Sequence, residues 1–157
     1  MYSIFKNFLS EEEIKSITKP PFNPFSTKWF NTPKRLYQEK ILATASKCFD
    51  LSSMVGFEEW HHDPFWRSLP SEHYDKDEVL YQETEETVFP LCSCIYYFKI
   101  EGLVGASLVI DDKDTIVPES NMLVVMSPGV WHKVTEYETG TRVSLNINPW
   151  DYKIKIS

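Results

Sequence analysis

"TVFPLCSCIYYFKI" (residues 87–100) opens a run of short segments rich in β-branched and aromatic residues. It is followed by "ASLVIDD" (106–112), "DTIVP" (114–118), "NMLVVMS" (121–127), "VWHKVTEY" (130–137) and "TRVSLNIN" (141–148). Turn residues separate these segments. Many short strands in succession predict a β-sandwich or jelly roll. Alternation places Ser93, Ile95 and Tyr97 on one face of the first strand, and Cys92, Cys94 and Tyr96 on the other. In the last strand Val143, Leu145 and Ile147 share a face, and Arg142, Ser144 and Asn146 share the opposite one. A polar trio inside a barrel is costly unless it meets a ligand or a polar network.

The front of the chain reads differently. Residues 1–8 predict a short strand carrying Ile4, Phe5 and Phe8. Ser10 then offers an N-cap, with Glu13 three residues on to complete a capping box and Glu11 and Glu12 at the positive helix end. Pro20 and Pro21 stop that helix, and "PPFNPFSTKWFNTP" (20–33) is a loop or broken extended segment. Thr32-Pro33 opens a second helix, in which Tyr37, Ile41, Ala45 and Cys48 recur at helical spacing and Phe49 widens the stripe. This helix is expected to back a sheet.

At 157 residues the chain is expected to form one domain spanning 1–157, with a sizeable core. The composition is globular, 42% hydrophobic and 25% charged, with a high 15% of aromatic residues. A net charge of -7 and a pI of about 5.1 argue against a general nucleic-acid binder, which needs a basic footprint. "MYSIFKNFLS" has no basic segment leading into a long apolar run, and no stretch approaches the ~18 apolar residues of a membrane span. A reducing, cytoplasmic setting is the expectation, with no membrane partner. Cys92-Ser93-Cys94 lacks a second cysteine pair at finger spacing, so these cysteines read as small buried strand residues rather than zinc ligands.

Chemistry concentrates in "HYD" (73–75) and in "GVWHKV" (129–134), followed ten positions after His132 by Arg142. Two histidines and one carboxylate on one face of an ion form the ligand set of non-haem Fe(II) oxygenases, which leaves other positions open for co-substrate and O2. The i, i+2 spacing puts His73 and Asp75 on one face of a strand. Arg142 can bind a carboxylate bidentately. Each piece is weak alone: a buried histidine is more often a packing residue, and a late-strand arginine is usually solvated. A second H-x-D also occurs at His61-His62-Asp63, where Pro64 restricts the aspartate. That stretch, "EEWHHDPFW", reads as an aromatic wall or entrance loop, with His61, His62, Trp60 or Trp66 facing substrate as the functional alternative. Residues 75–86, "DKDEVLYQETEE", carry six acids and one base, and read as a solvated loop or a substrate-attracting lid.

The order of these elements resembles the prolyl 4-hydroxylase-like branch of the 2-oxoglutarate/Fe(II) oxygenases. "FKNFLSEEEI" is similar to the opening strand and helix of that branch, "HYD" to its H-x-D, "SCIYYF" to the following strand with its tyrosine pair, and "HKVTEYETGTR" to the distal histidine and co-substrate arginine. "EGLVGASLVI" departs from the usual paired glycines and reads as a longer turn. The resemblance implies a double-stranded β-helix, or jelly roll, mainly β and backed by two or three N-terminal helices. It implies Fe(II) on His73, Asp75 and His132, preferred over His61 and Asp63 because they lie nearer "CIYYF". It implies 2-oxoglutarate held by Arg142 and by Tyr97, with O2 as oxidant and succinate and CO2 as products. The expected activity is hydroxylation of a prolyl residue in a peptide. Hydroxylation of a free amino acid or other small molecule, and a non-catalytic metal- or 2-oxoglutarate-binding jelly roll, are the alternatives.

Overall fold

Period-two alternation in the back half of the chain produces two antiparallel sheets, and the apolar stripe of the front half covers one of them. The structure is a computed structural model and describes residues 1–17, 27–62 and 72–156. Along the chain run β1 (Tyr2–Lys6), α1 (Glu11–Lys15), β2 (Lys28–Phe30), α2 (Leu36–Cys48), β3 (Gly56–His62), α3 (Glu78–Thr84) and β4 (Ser93–Gly105). Then follow β5 (Leu108–Ile110), β6 (Asp114–Ile116), β7 (Met122–Met126), β8 (His132–Val134) and β9 (Tyr137–Trp150). Six strands form one sheet in the order β1-β7-β4-β9-β3-β2, and three form a second in the order β6-β5-β8. This is the expected mainly β, jelly-roll architecture with helices from the front of the chain. No described helix is long and apolar enough to cross a membrane.

The large sheet has two different faces. On one, Tyr96, Leu123, Val125, Leu145 and Ile147 pack with Tyr37, Ile41, Leu42 and Ala45 of α2. The helix therefore backs the sheet, as its stripe predicts. Cys92 and Cys94 lie in this core, free and buried. On the other face, Ile95, Tyr97, Met122, Val124 and Met126 meet Leu108, Ile110, Ile116 and Val130 from the small sheet and its approach. Burying each such side chain contributes about 1.5–3 kcal/mol relative to exposure. That second core covers only the β7–β4 part of its face. Towards β9 and β3 the same face turns polar, because Ser144 lies between Tyr97 and His62, and Asn146 between Ile95 and Trp60. Arg142, Ser144, Asn146 and Asn148 all fall on this side and are buried.

Local signals hold at the start of the chain. Ser10 accepts from the Glu13 amide at 3.2 Å and donates its own amide to Glu13 Oε1 at 2.8 Å, the reciprocal cap that starts α1. The proposed stop at Pro20 and Pro21 lies outside the described residues. Four expectations need correction. The second helix starts at Leu36 rather than at Pro33, because Gln38 reaches back to accept from the Lys34 and Arg35 amides at 2.8 and 3.1 Å. "EGLVG" is not a turn. β4 continues through it against β9 with register shifts around Gly102, whose positive φ of 55° takes up the extra residues as a bulge. A side chain at Gly140, opposite this bulge, would collide with the Gly102 backbone.

Residues 56–62 form a central strand, β3, rather than a wall or loop, and 28–30 pair beside it as β2. The acidic segment is not a loop throughout. Asp77 caps α3 by accepting from the Leu80 amide at 3.1 Å, and also accepts from the Tyr152 hydroxyl at 2.6 Å. At 4% exposure Asp77 is a structural carboxylate, not a steering charge.

Candidate metal centre

His132 enters the molecule on β8, which pairs with β5, and is 5% exposed. Its backbone exchanges two hydrogen bonds of 3.0 Å with His73, an isolated bridge rather than the regular strand that the H-x-D spacing suggests. The bridge nevertheless sets the two rings side by side, with centroids 4.5 Å apart. Asp75, two residues on, brings Oδ1 to 3.4 Å from His73 Nε2 and 3.6 Å from His132 Nε2. One ligating atom from each of His73, Asp75 and His132 falls within 4.8 Å of the others, close enough to hold one metal ion.

The protons are arranged to suit that role. His132 Nδ1 lies 2.9 Å from the Val130 carbonyl, to which it can only donate. This leaves the Nε2 lone pair for an ion, as a backbone acceptor behind a ligating histidine commonly does. Burial opposes a charge on Asp75, but its contacts with His73, His132 and Ser93 outweigh it and hold the carboxyl down at about 2. Asn148 donates Nδ2 to Asp75 Oδ2 at 3.4 Å and fixes the second oxygen. Two imidazoles and one ionised carboxylate suit a divalent first-row metal, and a three-member set leaves room for exogenous ligands.

On the same sheet face, Arg142 is 7% exposed and its guanidinium carbon stands 5.5 Å from the Tyr97 ring centre. No ion pair to Arg142 occurs among the described residues, and its Nε has no hydrogen-bond partner there. The fully buried Tyr97 hydroxyl, Ser144 Oγ and Asn146 Oδ1 are equally without partners among the described residues. Arg142 Nη1 lies 3.5 Å from His62 Nδ1. Burial, and then the charge of Arg142, push the His62 pKa down to about 4, so His62 is neutral near pH 7 and the guanidinium charge has no counter-ion among the described residues. A buried guanidinium with no anion is expensive, and so is each unfilled buried polar atom. The donors of Arg142, Tyr97 and Ser144 fit an anionic ligand with oxygen acceptors.

The two histidines of the second H-x-D face opposite sides of the sheet. His61 points to the helix side, where its Nε2 lies 2.6 Å from Glu59 Oε2, and Glu59 also accepts from Tyr37 and Gln38. His62 and Trp60 face the site, whereas Asp63 and the aromatic residues Phe65 and Trp66 lie outside the described residues. A cavity of about 200 Å³ opens beside the three-residue set, lined by Glu58, Trp60, His73, Asp75, Lys76 and Asn148 among others. Sequence reasoning missed Glu58, Lys76 and Asn148. Recognising 56–62 as a strand would have found Glu58, since it falls two residues before Trp60 on the same face.

No protein-family model matches the sequence, and no curated protein resembles it closely enough to count as a match. Solved structures do. The viral collagen prolyl hydroxylase of Paramecium bursaria Chlorella virus-1, in its 2OG complex, superposes with a TM-score of 0.61 at 17% identity, over 97% of this chain and 96% of that one. The chain has the prolyl 4-hydroxylase fold. A Pseudomonas putida prolyl-4-hydroxylase gives 0.61 at 16% identity, over 97% of this chain and 93% of that one. A Phytophthora capsici prolyl 4-hydroxylase gives 0.62 at 13% identity, over 94% of this chain but only 58% of that one.

Proposed function

We propose that this chain is an Fe(II)- and 2-oxoglutarate-dependent hydroxylase. The observation that carries the reading is the buried Arg142, which has no ion pair among the described residues, beside a Tyr97 hydroxyl equally without a partner there, on the same sheet face that adjoins His73, Asp75 and His132. A metal set with free positions and an anion site belong together when the co-substrate is a dicarboxylate that spans them. His73 and His132 would hold the ion through neutral nitrogens, and Asp75 through its charge. Fe(II) with bound 2-oxoglutarate supplies the activation of O2, which converts 2-oxoglutarate to succinate and CO2 and places the other oxygen atom in a substrate C–H bond.

The rest is done by the chain's own groups. Val130 O holds the His132 proton on Nδ1. Arg142 anchors the far carboxylate, and the Tyr97 hydroxyl donates to it. Ile95, Met122 and Val124 keep the adjacent sheet face apolar and dry, which strengthens both contacts. A prolyl residue in a peptide is our first candidate substrate. Its support is the likeness to three structures described as prolyl hydroxylases, together with Trp60 at the cavity, where a ring can pack.

The test is O2-dependent formation of succinate from 2-oxoglutarate by the Fe(II)-loaded chain, across proline peptides and free amino acids. Substrate-coupled succinate supports the reading, and tight binding of both cofactors with no coupled turnover contradicts it. Tyr97→Phe should weaken 2-oxoglutarate by only about 1 kcal/mol, roughly fivefold, because a single neutral hydroxyl bond is lost. Calorimetric titration of the variant checks this.

A further inference from the structure

Two residues at the cavity beside the metal set each keep an acceptor oxygen with no donor among the described residues. Glu58 Oε1 receives the Trp150 indole N–H at 3.2 Å and Asn148 Nδ2 at 3.4 Å. No hydrogen bond or ion pair among the described residues engages its other oxygen, and no cation is paired with it. Asn148 is 1% exposed and its Oδ1 has no partner among the described residues. The orientation of that amide follows from chemistry: its Nδ2 faces two carboxylates, Glu58 and Asp75, so that end must donate and Oδ1 is left as the acceptor. Both residues line the same cavity.

A ligand that satisfies this pair of acceptors needs at least two N–H or O–H donors. Burial, against the hydrogen bond from Trp150, pushes the Glu58 pKa up to about 7, so a positively charged ligand gains by holding this carboxyl ionised. Lys76, the one lysine or arginine among the described residues lining the cavity, is engaged elsewhere. Its Nζ lies 3.3 Å from Glu78 and 4.9 Å from the Tyr81 ring centre. Nor would a loaded metal site repel such a ligand. The charges of the ion and Arg142 are balanced by Asp75 and the two carboxylates of 2-oxoglutarate.

We propose that Glu58 and Asn148 form a subsite for a primary or secondary ammonium group of the substrate, next to the carbon that is hydroxylated. Trp150 and Asn148 aim the carboxylate, and Asn148 couples the subsite to Asp75. The proposal rests on the hydroxylase reading for its purpose, but not for its measurement. An ammonium group can come from the reacting amino acid itself or from a basic residue beside it in a peptide.

Two probe pairs separate these sources in anaerobic calorimetry on the full chain loaded with Fe(II) and 2-oxoglutarate. One pair is L-prolinamide against N-acetyl-L-prolinamide. The other is acetyl-Lys-Pro-amide against acetyl-norleucyl-Pro-amide. The cationic member of one pair should bind tighter than its neutral partner by about tenfold or more. The first pair responding assigns the substrate's own amine, the second a basic neighbour. Glu58→Gln keeps the acceptor for Trp150 and should erase the difference while 2-oxoglutarate affinity holds.

Equal or undetectable binding in both pairs of the parent chain overturns the proposal without reference to any variant, and so does a preference that survives Glu58→Gln. If 2-oxoglutarate fails to bind while the amine preference stands, the hydroxylase reading falls and the subsite remains.

Discussion

Asp75→Ala is expected to abolish useful Fe(II) binding. Asp75 is the ionised member of the three-residue set, and its oxygen sits 3.4 and 3.6 Å from the two histidine nitrogens. Changing a residue that merely orients a ligand typically costs 10- to 100-fold in metal affinity. Loss of the charged ligand itself should exceed about 100-fold. An anaerobic competition titration against a chelator reads this directly. A second readout separates it from a folding defect. The parent chain should gain about 2.7 kcal/mol of stability at an Fe(II) concentration 100 times Kd, seen as a rise in Tm, and the variant should gain none. A lower starting Tm is expected in the metal-free variant, because the contacts that hold the Asp75 carboxyl down at about 2 stabilise the fold near pH 7, so the Fe(II)-dependent rise and not the starting Tm is the readout. A variant that still takes up one equivalent of iron with parental affinity would remove Asp75 from the site.

Arg142→Ala should produce the second largest effect, on 2-oxoglutarate alone. The guanidinium is buried and has no carboxylate partner among the described residues, so its full pairing energy is reserved for a ligand. Breaking a buried pair by removing one member costs about 3–5 kcal/mol, which is roughly 100-fold or more in Kd. Iron affinity measured without 2-oxoglutarate should stay within a few-fold of the parent. The contrast with Tyr97→Phe distinguishes a charge anchor from general damage to the pocket. Equal losses from both substitutions would mean that the pocket has collapsed, and unchanged 2-oxoglutarate binding in Arg142→Ala would remove this residue from the co-substrate site.

The sequence carried the parts of this design that local pattern encodes. The Ser10–Glu13 cap is a four-residue motif, and the faces of β4 and β9 follow from strict alternation at Ser93–Tyr97 and Arg142–Ile147. His73, Asp75 and His132, which the fold brings within reach of one another, are singled out by their order along the chain. β3 was not legible. Glu58, Glu59, His61 and His62 read as part of an aromatic wall or entrance loop, yet the strand lies inside the sheet between β9 and β2. Glu59 is 6% exposed because Tyr37 and Gln38, more than twenty residues earlier, donate to it at 2.6 and 2.9 Å. Partners at that distance in sequence leave no local trace, and polar residues satisfied by them override strand propensity.

The same reason hid Asn148, whose two carboxylate partners are 90 and 73 positions away. It also hid Asn121, which holds the Leu9 backbone through bonds of 2.9 and 3.0 Å from a left-handed conformation with φ 60°. The sequence around Gly102 fits a turn as well as a bulge, because a glycine with positive φ serves either purpose, and only the β9 partner decides which.

The central claim joins a metal set and an anion site into one co-substrate platform. A structure determined anaerobically with Fe(II) and 2-oxoglutarate tests it most directly. The account predicts one metal ion on His73, Asp75 and His132, with 2-oxoglutarate on the ion and its far carboxylate against Arg142 and the Tyr97 hydroxyl. A metal on His61 and Asp63, a closed four-ligand site, or 2-oxoglutarate bound away from Arg142 would contradict it.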